Sequence, residues 1–191
     1  MSIYCNHLDI SFNPLKDMSY IKRWPTDVYG MYSIDRSEAS DEMVELLKKN
    51  KVVRFSIEAF CCPANYKLAV HCDDDYFGKY SKVNFVYSED PNHTMDWYEP
   101  NEKWVEEERK QYTLYENKDD PNDQDLESSP HYWFNDDELT LVHQETIRVA
   151  QINAGLPHGV TTGTTNRICI SFILEMADGN MMDIDNVFQT S

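Results

Sequence analysis

The stretch Tyr66-Lys67-Leu68-Ala69-Val70-His71-Cys72-Asp73 sets the reading of the rest of the chain. Leu68 and Val70 alternate with Ala69 and His71, the period-two pattern of a half-buried β-strand. Residues two apart on a strand point to one face, so His71 and Asp73 project side by side where the strand ends, just before Asp74-Asp75. An imidazole nitrogen and a carboxylate oxygen on a rigid strand end are two of the three donors of a metal site. The pair is weak alone. With 34 acidic residues, about one His-x-Asp or His-x-Glu is expected by chance.

Outward from this stretch, the same alternation recurs. Upstream, Val53, Phe55, Ile57, Ala59 and Cys61 alternate with Arg54, Ser56 and Glu58, and Pro63 ends the run. Downstream, Lys82–Tyr87 and Thr94–Tyr98 read as strands separated by the turn Ser88–Asn92. Strands resume at His131–Phe134, Leu139–His143, Ile147–Ile152, Gly159–Thr161 and Arg167–Leu174. Short strands joined by turns at this spacing predict an all-β sandwich or barrel. Between them, Glu99–Pro130 breaks the rhythm. Trp104–Tyr115 has a helical pattern, and Glu116–Ser129 reads as an acidic loop with almost nothing to bury, suited to a lid or to a solvated insertion.

Residues 1–39 read as irregular structure with one or two short elements, packed onto the core by aromatics such as Tyr4, Phe12 and Trp24. Ser40 is an N-cap, Asp41 and Glu42 suit a first turn, and Met43, Val44, Leu46 and Leu47 recur at helical spacing. Lys48 and Lys49 suit the last turn and Asn50 can end it. This short amphipathic helix is expected to brace a sheet. The tail, Asp178–Ser191, is polar and expected at the periphery. The chain therefore reads as one domain over 1–191: a flanking segment and helix (1–51), a β core (52–175) with an insertion at 99–130, and a tail (176–191).

Composition sets the outer limits. The 191 residues suffice for one packed domain, and 41% hydrophobic with 13% aromatic residues describes a folded globular chain. A formal charge of -17 disfavours nucleic acid or an anionic membrane as partner, and suits a basic or neutral small-molecule or peptide substrate. No apolar run is long enough to span a bilayer, and the N-terminus lacks the basic-then-apolar order of a signal peptide. The five cysteines form neither a disulfide framework nor a Cys-x-x-Cys zinc pattern. A cytoplasmic location is the expectation.

The second half supplies the missing donor. In Leu156-Pro157-His158-Gly159-Val160, the proline and glycine pin His158 at the start of a strand. Nine positions on, Arg167 opens the β-forming run Arg167–Ser171. A turn through Thr161–Asn166 would bring His158 and Arg167 onto adjacent antiparallel strands. An arginine leading an apolar strand is costly to bury unless it meets an anion, and its planar fork suits a carboxylate. His71, Asp73 and His158 make up the two-histidine, one-carboxylate facial triad of non-heme Fe(II) oxygenases.

At this point the chain resembles the Fe(II)/2-oxoglutarate-dependent dioxygenase superfamily. The order His-x-Asp, distal His, then Arg is most similar to its prolyl-hydroxylase-like branch, over roughly residues 52–175. The resemblance implies a double-stranded β-helix (jelly-roll, cupin-like) core with a few flanking helices. It also implies Fe(II) held by His71, Asp73 and His158, and 2-oxoglutarate chelating the metal while Arg167 pairs with its far carboxylate. Dioxygen would take the remaining position, giving hydroxylation of an amino-acid, peptide or small-molecule substrate with release of succinate and CO2. Asn84 and Tyr87 are further candidates for contacts to 2-oxoglutarate; their opposite parity on one strand allows at most one to face inward. Where some branches place a serine two positions after the arginine, this chain has Cys169. The long Asp73–His158 interval is accounted for by the insertion after Glu99.

The other histidines with no partner at ligand spacing are His7, His93, His131 and His143, which read as ordinary surface or core residues. Asp73-Asp74-Asp75 lacks the alternating ligands, glycine and closing glutamate of an EF-hand. Trp97, Tyr98, Trp133 and Phe134 read as core first and pocket lining second. Two other functions stay open: a binding or structural jelly-roll module without turnover, and a cupin-like metalloenzyme without 2-oxoglutarate. The second leaves Arg167 unexplained.

Overall fold

The computed structural model describes residues 2–22, 24–73, 78–104, 111–112 and 131–190. The helical pattern at 104–115, apart from Trp104 and two strand residues, and the acidic stretch 116–129 lie outside them. Twelve strands are described: β1 (Cys5–His7), β2 (Gly30–Ile34), β3 (Val52–Cys62), β4 (Lys67–Asp73), β5 (Ser81–Tyr87) and β6 (Thr94–Pro100), then β7 (Gln111–Tyr112), β8 (His131–Trp133), β9 (Leu139–Glu145), β10 (Val149–Asn153), β11 (His158–Thr161) and β12 (Arg167–Met176). The one α-helix among the described residues, α1, spans Asp41–Lys49.

The strands form two antiparallel six-stranded sheets packed as a β-sandwich. Sheet I runs β1-β10-β5-β12-β3-β2 and sheet II runs β7-β8-β4-β11-β6-β9. The alternating run at 52–62 becomes β3, paired with β12 from Arg167↔Cys62 to Met176↔Val52. Alternation decides which side chains go where. Ile57, Ala59, Val83, Phe85, Ile170, Phe172 and Leu174 bury on the outer face of sheet I, where α1 covers them with Met43, Leu46 and Leu47. The opposite parity, with Val86, Ile152, Cys169 and Ile173, meets Met95 and Trp97 of sheet II in the interior. Each of the Val, Leu, Ile, Phe and Met side chains among them contributes about 1.5–3 kcal/mol by leaving water.

Helix α1 follows its sequence signals closely. Ser40 accepts from the Met43 N–H at 3.2 Å, and Asn50 caps the other end. The cap is worth about 1 kcal/mol. No helix among the described residues is long and apolar enough to cross a membrane.

Two expectations are corrected. The tail is not peripheral: Met182, Ile184 and Phe188 are buried. It is held by main-chain bonds from Met182 to Leu174 and from Ile184 to Lys79, while the buried Gln151 amide donates to the carbonyls of Asp183 and Asn186. Nor are His158 and Arg167 on adjacent strands. β11 lies between β4 and β6 in sheet II, whereas β12 lies between β5 and β3 in sheet I. The 162–166 connection crosses from one sheet to the other because its side chains are tied elsewhere. Thr162 donates to Pro63 O, and Thr164 donates through both its N–H and its hydroxyl to Asp90 Oδ2. Gly163 packs so close to the Asp90 carboxylate that a Cβ would collide with it.

Candidate metal centre

The two sheets bring different chemistry to one interior cavity. From sheet II come His71, Asp73 and His158; from sheet I come Lys82, Asn84 and Arg167. All six are nine-tenths or more buried. Charged groups at such depth persist only when something neutralises them.

His71 and His158 are direct register partners on β4 and β11, with ring centroids 4.5 Å apart. A bulge in this pairing decides their aim. Register passes from His158↔His71 to Val160↔Leu68, so β4 carries one extra residue between Leu68 and His71. That extra residue brings both Leu68 and His71 to the cavity, which strict alternation forbids. Across β4, Trp133 on β8 covers the other side of His71 at 4.8 Å. Trp97 is core, its indole N–H donating to Asn153 O at 3.0 Å.

Each imidazole is oriented by a carbonyl two residues back. Nδ1 of His71 lies 3.0 Å from Ala69 O, and Nδ1 of His158 lies 2.9 Å from Leu156 O. A carbonyl only accepts, so both Nδ1 atoms carry a proton, and in the neutral ring the lone pair then lies on Nε2, the atom a metal would take. Nε2 of His71 is 3.7 Å from Asp73 Oδ1, and one donor atom from each of His71, Asp73 and His158 lies within 4.8 Å of the others. The donor set fits a divalent transition metal with open coordination positions.

Lys82 was not singled out in the sequence, and it is the nearest cation to this group. Its Nζ lies 2.9 Å from Asp73 Oδ2 and 3.8 Å from Glu58 Oε2. Burial pulls its pKa down, but the carboxylate of Asp73, Tyr80 and Glu58 together reverse this and hold it above the ordinary lysine value. The sequence signal was a lysine leading the β-forming run Lys82–Tyr87, at the same parity as Asn84.

Arg167 is the contrasting cation. It is 2% exposed, its Nε has no hydrogen-bond partner, and among the described residues no carboxylate lies within ion-pairing distance. A buried guanidinium without a counter-charge is strongly unfavourable, and its planar fork suits a carboxylate. Asn84 lines the cavity, its Oδ1 accepting from the Ser171 hydroxyl at 2.7 Å, while Tyr87 lies on the opposite face against the α1-side core. Cys169 and Ser171 follow Arg167 at alternate positions on β12 and face the same cavity, so a serine stands two residues beyond Cys169.

Thiol chemistry in this cavity is disfavoured. All five cysteines are buried and unbridged, and burial pushes Cys61 and Cys169 up to about 11. His93 is fully buried with neither ring nitrogen hydrogen-bonded. Burial, helped by the positive fields of Arg167 and Arg148, lowers its pKa to about 4. His7 and His143, read as partnerless from sequence, both meet Glu145, at 2.8 and 3.0 Å. In comparisons with known proteins, no protein-family model and no curated protein matches this chain.

Proposed function

We propose that the protein is a non-heme Fe(II)- and 2-oxoglutarate-dependent dioxygenase with a jelly-roll core, hydroxylating an amino-acid, peptide or small-molecule substrate. The observation that carries this is the pairing of a buried His71–Asp73–His158 group with an uncompensated Arg167 in the same cavity. A metal triad alone suits many enzymes. The buried arginine adds a demand for an anionic partner beside it.

In this reading His71 Nε2, His158 Nε2 and Asp73 Oδ1 hold the metal, and Arg167 grips the far carboxylate of 2-oxoglutarate. Iron bound there supplies the redox and dioxygen chemistry that side chains cannot. The chain's own residues position and exclude. Ala69 and Leu156 carbonyls fix the two imidazoles, and Lys82 occupies Asp73 Oδ2 so that Oδ1 is left toward His71. Ser171 fixes Asn84 with its amide nitrogen available to the co-substrate. Asp73 and Glu58 both pair with Lys82, while Arg167 has no carboxylate partner among the described residues. A dianionic co-substrate would supply that counter-charge and offset the charge of a divalent metal.

The competing reading is an anion-binding module without metal, favoured by the Lys82–Asp73 pair, which already neutralises one ligand. Turnover separates the two. Incubated aerobically with Fe(II), 2-oxoglutarate and ascorbate, the protein is expected to release succinate without added substrate, and His71→Ala to release none. Anion binding that is unaffected by Fe(II), with no succinate from the unaltered protein, would favour the module.

A further inference from the structure

A second group of donors lies outside this cavity. β1 is the outermost strand of sheet I and β9 the outermost strand of sheet II. Each offers a pair of residues two apart, Cys5 with His7 and His143 with Glu145, and the two pairs meet where the sheet edges close on one another. Glu145 is the hub. His7 Nε2 lies 2.8 Å from Oε1, while His143 Nε2 lies 3.0 Å and Cys5 Sγ 3.7 Å from Oε2.

We propose that Cys5, His7 and Glu145 form a zinc-class divalent metal site that ties the edge of one sheet to the edge of the other. One donor atom from each lies within 4.8 Å of the others. A tetrahedral zinc site with bonds of about 2.0–2.3 Å separates its donors by roughly 3.3–3.8 Å, so no pair here is more than about 1 Å beyond that spacing. Sulfur, imidazole nitrogen and carboxylate oxygen are zinc's usual ligands, and the thiolate selects it over calcium or magnesium. On binding, the Cys5 thiol releases its proton to solvent as the metal–sulfur bond forms.

The surroundings hold the donors in place. Cys5 and His7 are pinned by pairing with Ile152 and Ala150 of β10. His143 is the positioning residue: it holds Glu145 Oε2 and stacks on Tyr4, with centroids 4.5 Å apart and planes 9° from parallel. Cys5 is 3% exposed while His7 reaches solvent, which leaves a route for the ion and an open fourth position for water.

The test uses the full chain without a histidine tag, titrated anaerobically with Co2+ as a spectroscopic stand-in for zinc. The expected result is a thiolate-to-cobalt charge-transfer band in the near ultraviolet that Zn2+ bleaches. Cys5→Ser should abolish the band. His7→Asn, at an exposed side chain that leaves folding intact, should weaken Co2+ binding about tenfold or more. His71→Ala should leave the band unchanged, which separates this site from the proposed catalytic one. Absence of the band in the unaltered protein, its survival in Cys5→Ser, or an unchanged Co2+ affinity in His7→Asn overturns the proposal and leaves a set of plain ion pairs around Glu145.

Discussion

Two strands of sheet II carry a histidine two residues before a carboxylate, and the two pairs end in opposite environments. His71 and Asp73 on β4 are buried between the sheets, flanked by His158 and Trp133. His143 and Glu145 on β9 are at an edge, about one-third exposed, and answered by Cys5 and His7 from the other sheet. The same local pattern thus means different things according to what completes it. In the interior the carboxylate meets Lys82, and among the described residues the nearby Arg167 has no carboxylate partner. At the edge the carboxylate is satisfied by imidazoles, and Glu145 is held below the usual carboxylate range first by the His7 hydrogen bond and then by that of His143. Depth makes the first site a place for an anionic ligand. The second needs only a cation.

The largest expected effect comes from removing a ligand at the interior site. His71→Ala is expected to cost more in Fe(II) affinity than the roughly 10–100-fold typical of losing an outer-shell partner, while leaving the edge cluster's metal response intact. Metal titrations of the variant against the unaltered protein check both halves, and loss at both sites would erase the contrast between them.

Arg167→Met sharpens the contrast from the anion side. Co-substrate affinity should fall roughly 30- to 1,000-fold, with iron affinity unchanged. The same variant should make the ligand-free protein more stable to urea by on the order of 1–2 kcal/mol, because an uncompensated buried charge is gone. Lys82→Met should do the reverse, destabilising the metal-free chain by about 3 kcal/mol by stripping Asp73 of its partner. A divalent ion should then raise the melting temperature more in this variant than in the unaltered protein. Equal increments would separate Lys82 from the metal ligand.

A smaller effect concerns acid stability. Burial holds His93 neutral down to about pH 4, whereas the unfolded chain takes up its proton near 6.5. Between those values the unfolded state binds more protons, so stability falls as pH drops, by at most about 3 kcal/mol from this group. His93→Gln should lose correspondingly less between pH 6.5 and 4 than the unaltered protein, as denaturant titrations at several pH values would show. An identical loss would assign the acid sensitivity to the carboxylates instead.

Features with a local cause were legible in the sequence. The α1 boundaries follow from Ser40, Lys48–Lys49 and Asn50, the β3 run from alternation and the β12 run from its β-forming apolar residues. His71, Asp73 and His158 were found because strand periodicity and residue type are local signals, and they do meet. Most of what was missed depends on long-range placement; the exception is His143-x-Glu145, whose local spacing equals that of His71-x-Asp73. Nothing in the chain between His158 and Arg167 says that Thr162 and Thr164 will be captured by Pro63 and Asp90, so a hairpin was expected where the chain changes sheets. Lys82 gains its meaning only from Asp73 on the facing sheet, and Cys5 and His7 lie about 140 positions from Glu145. The bulge that aims His71 leaves no mark in the alternation.

In the proposed function the interior site takes iron and 2-oxoglutarate together. The most direct measurement is an anaerobic titration of the metal-free protein with Fe(II) and then 2-oxoglutarate, read by visible absorption. The expected result is a metal-to-ligand charge-transfer band that needs both additions, vanishes in His71→Ala and requires far more co-substrate in Arg167→Met. Iron binding with no band at saturating 2-oxoglutarate, or a band indifferent to Arg167, would contradict it.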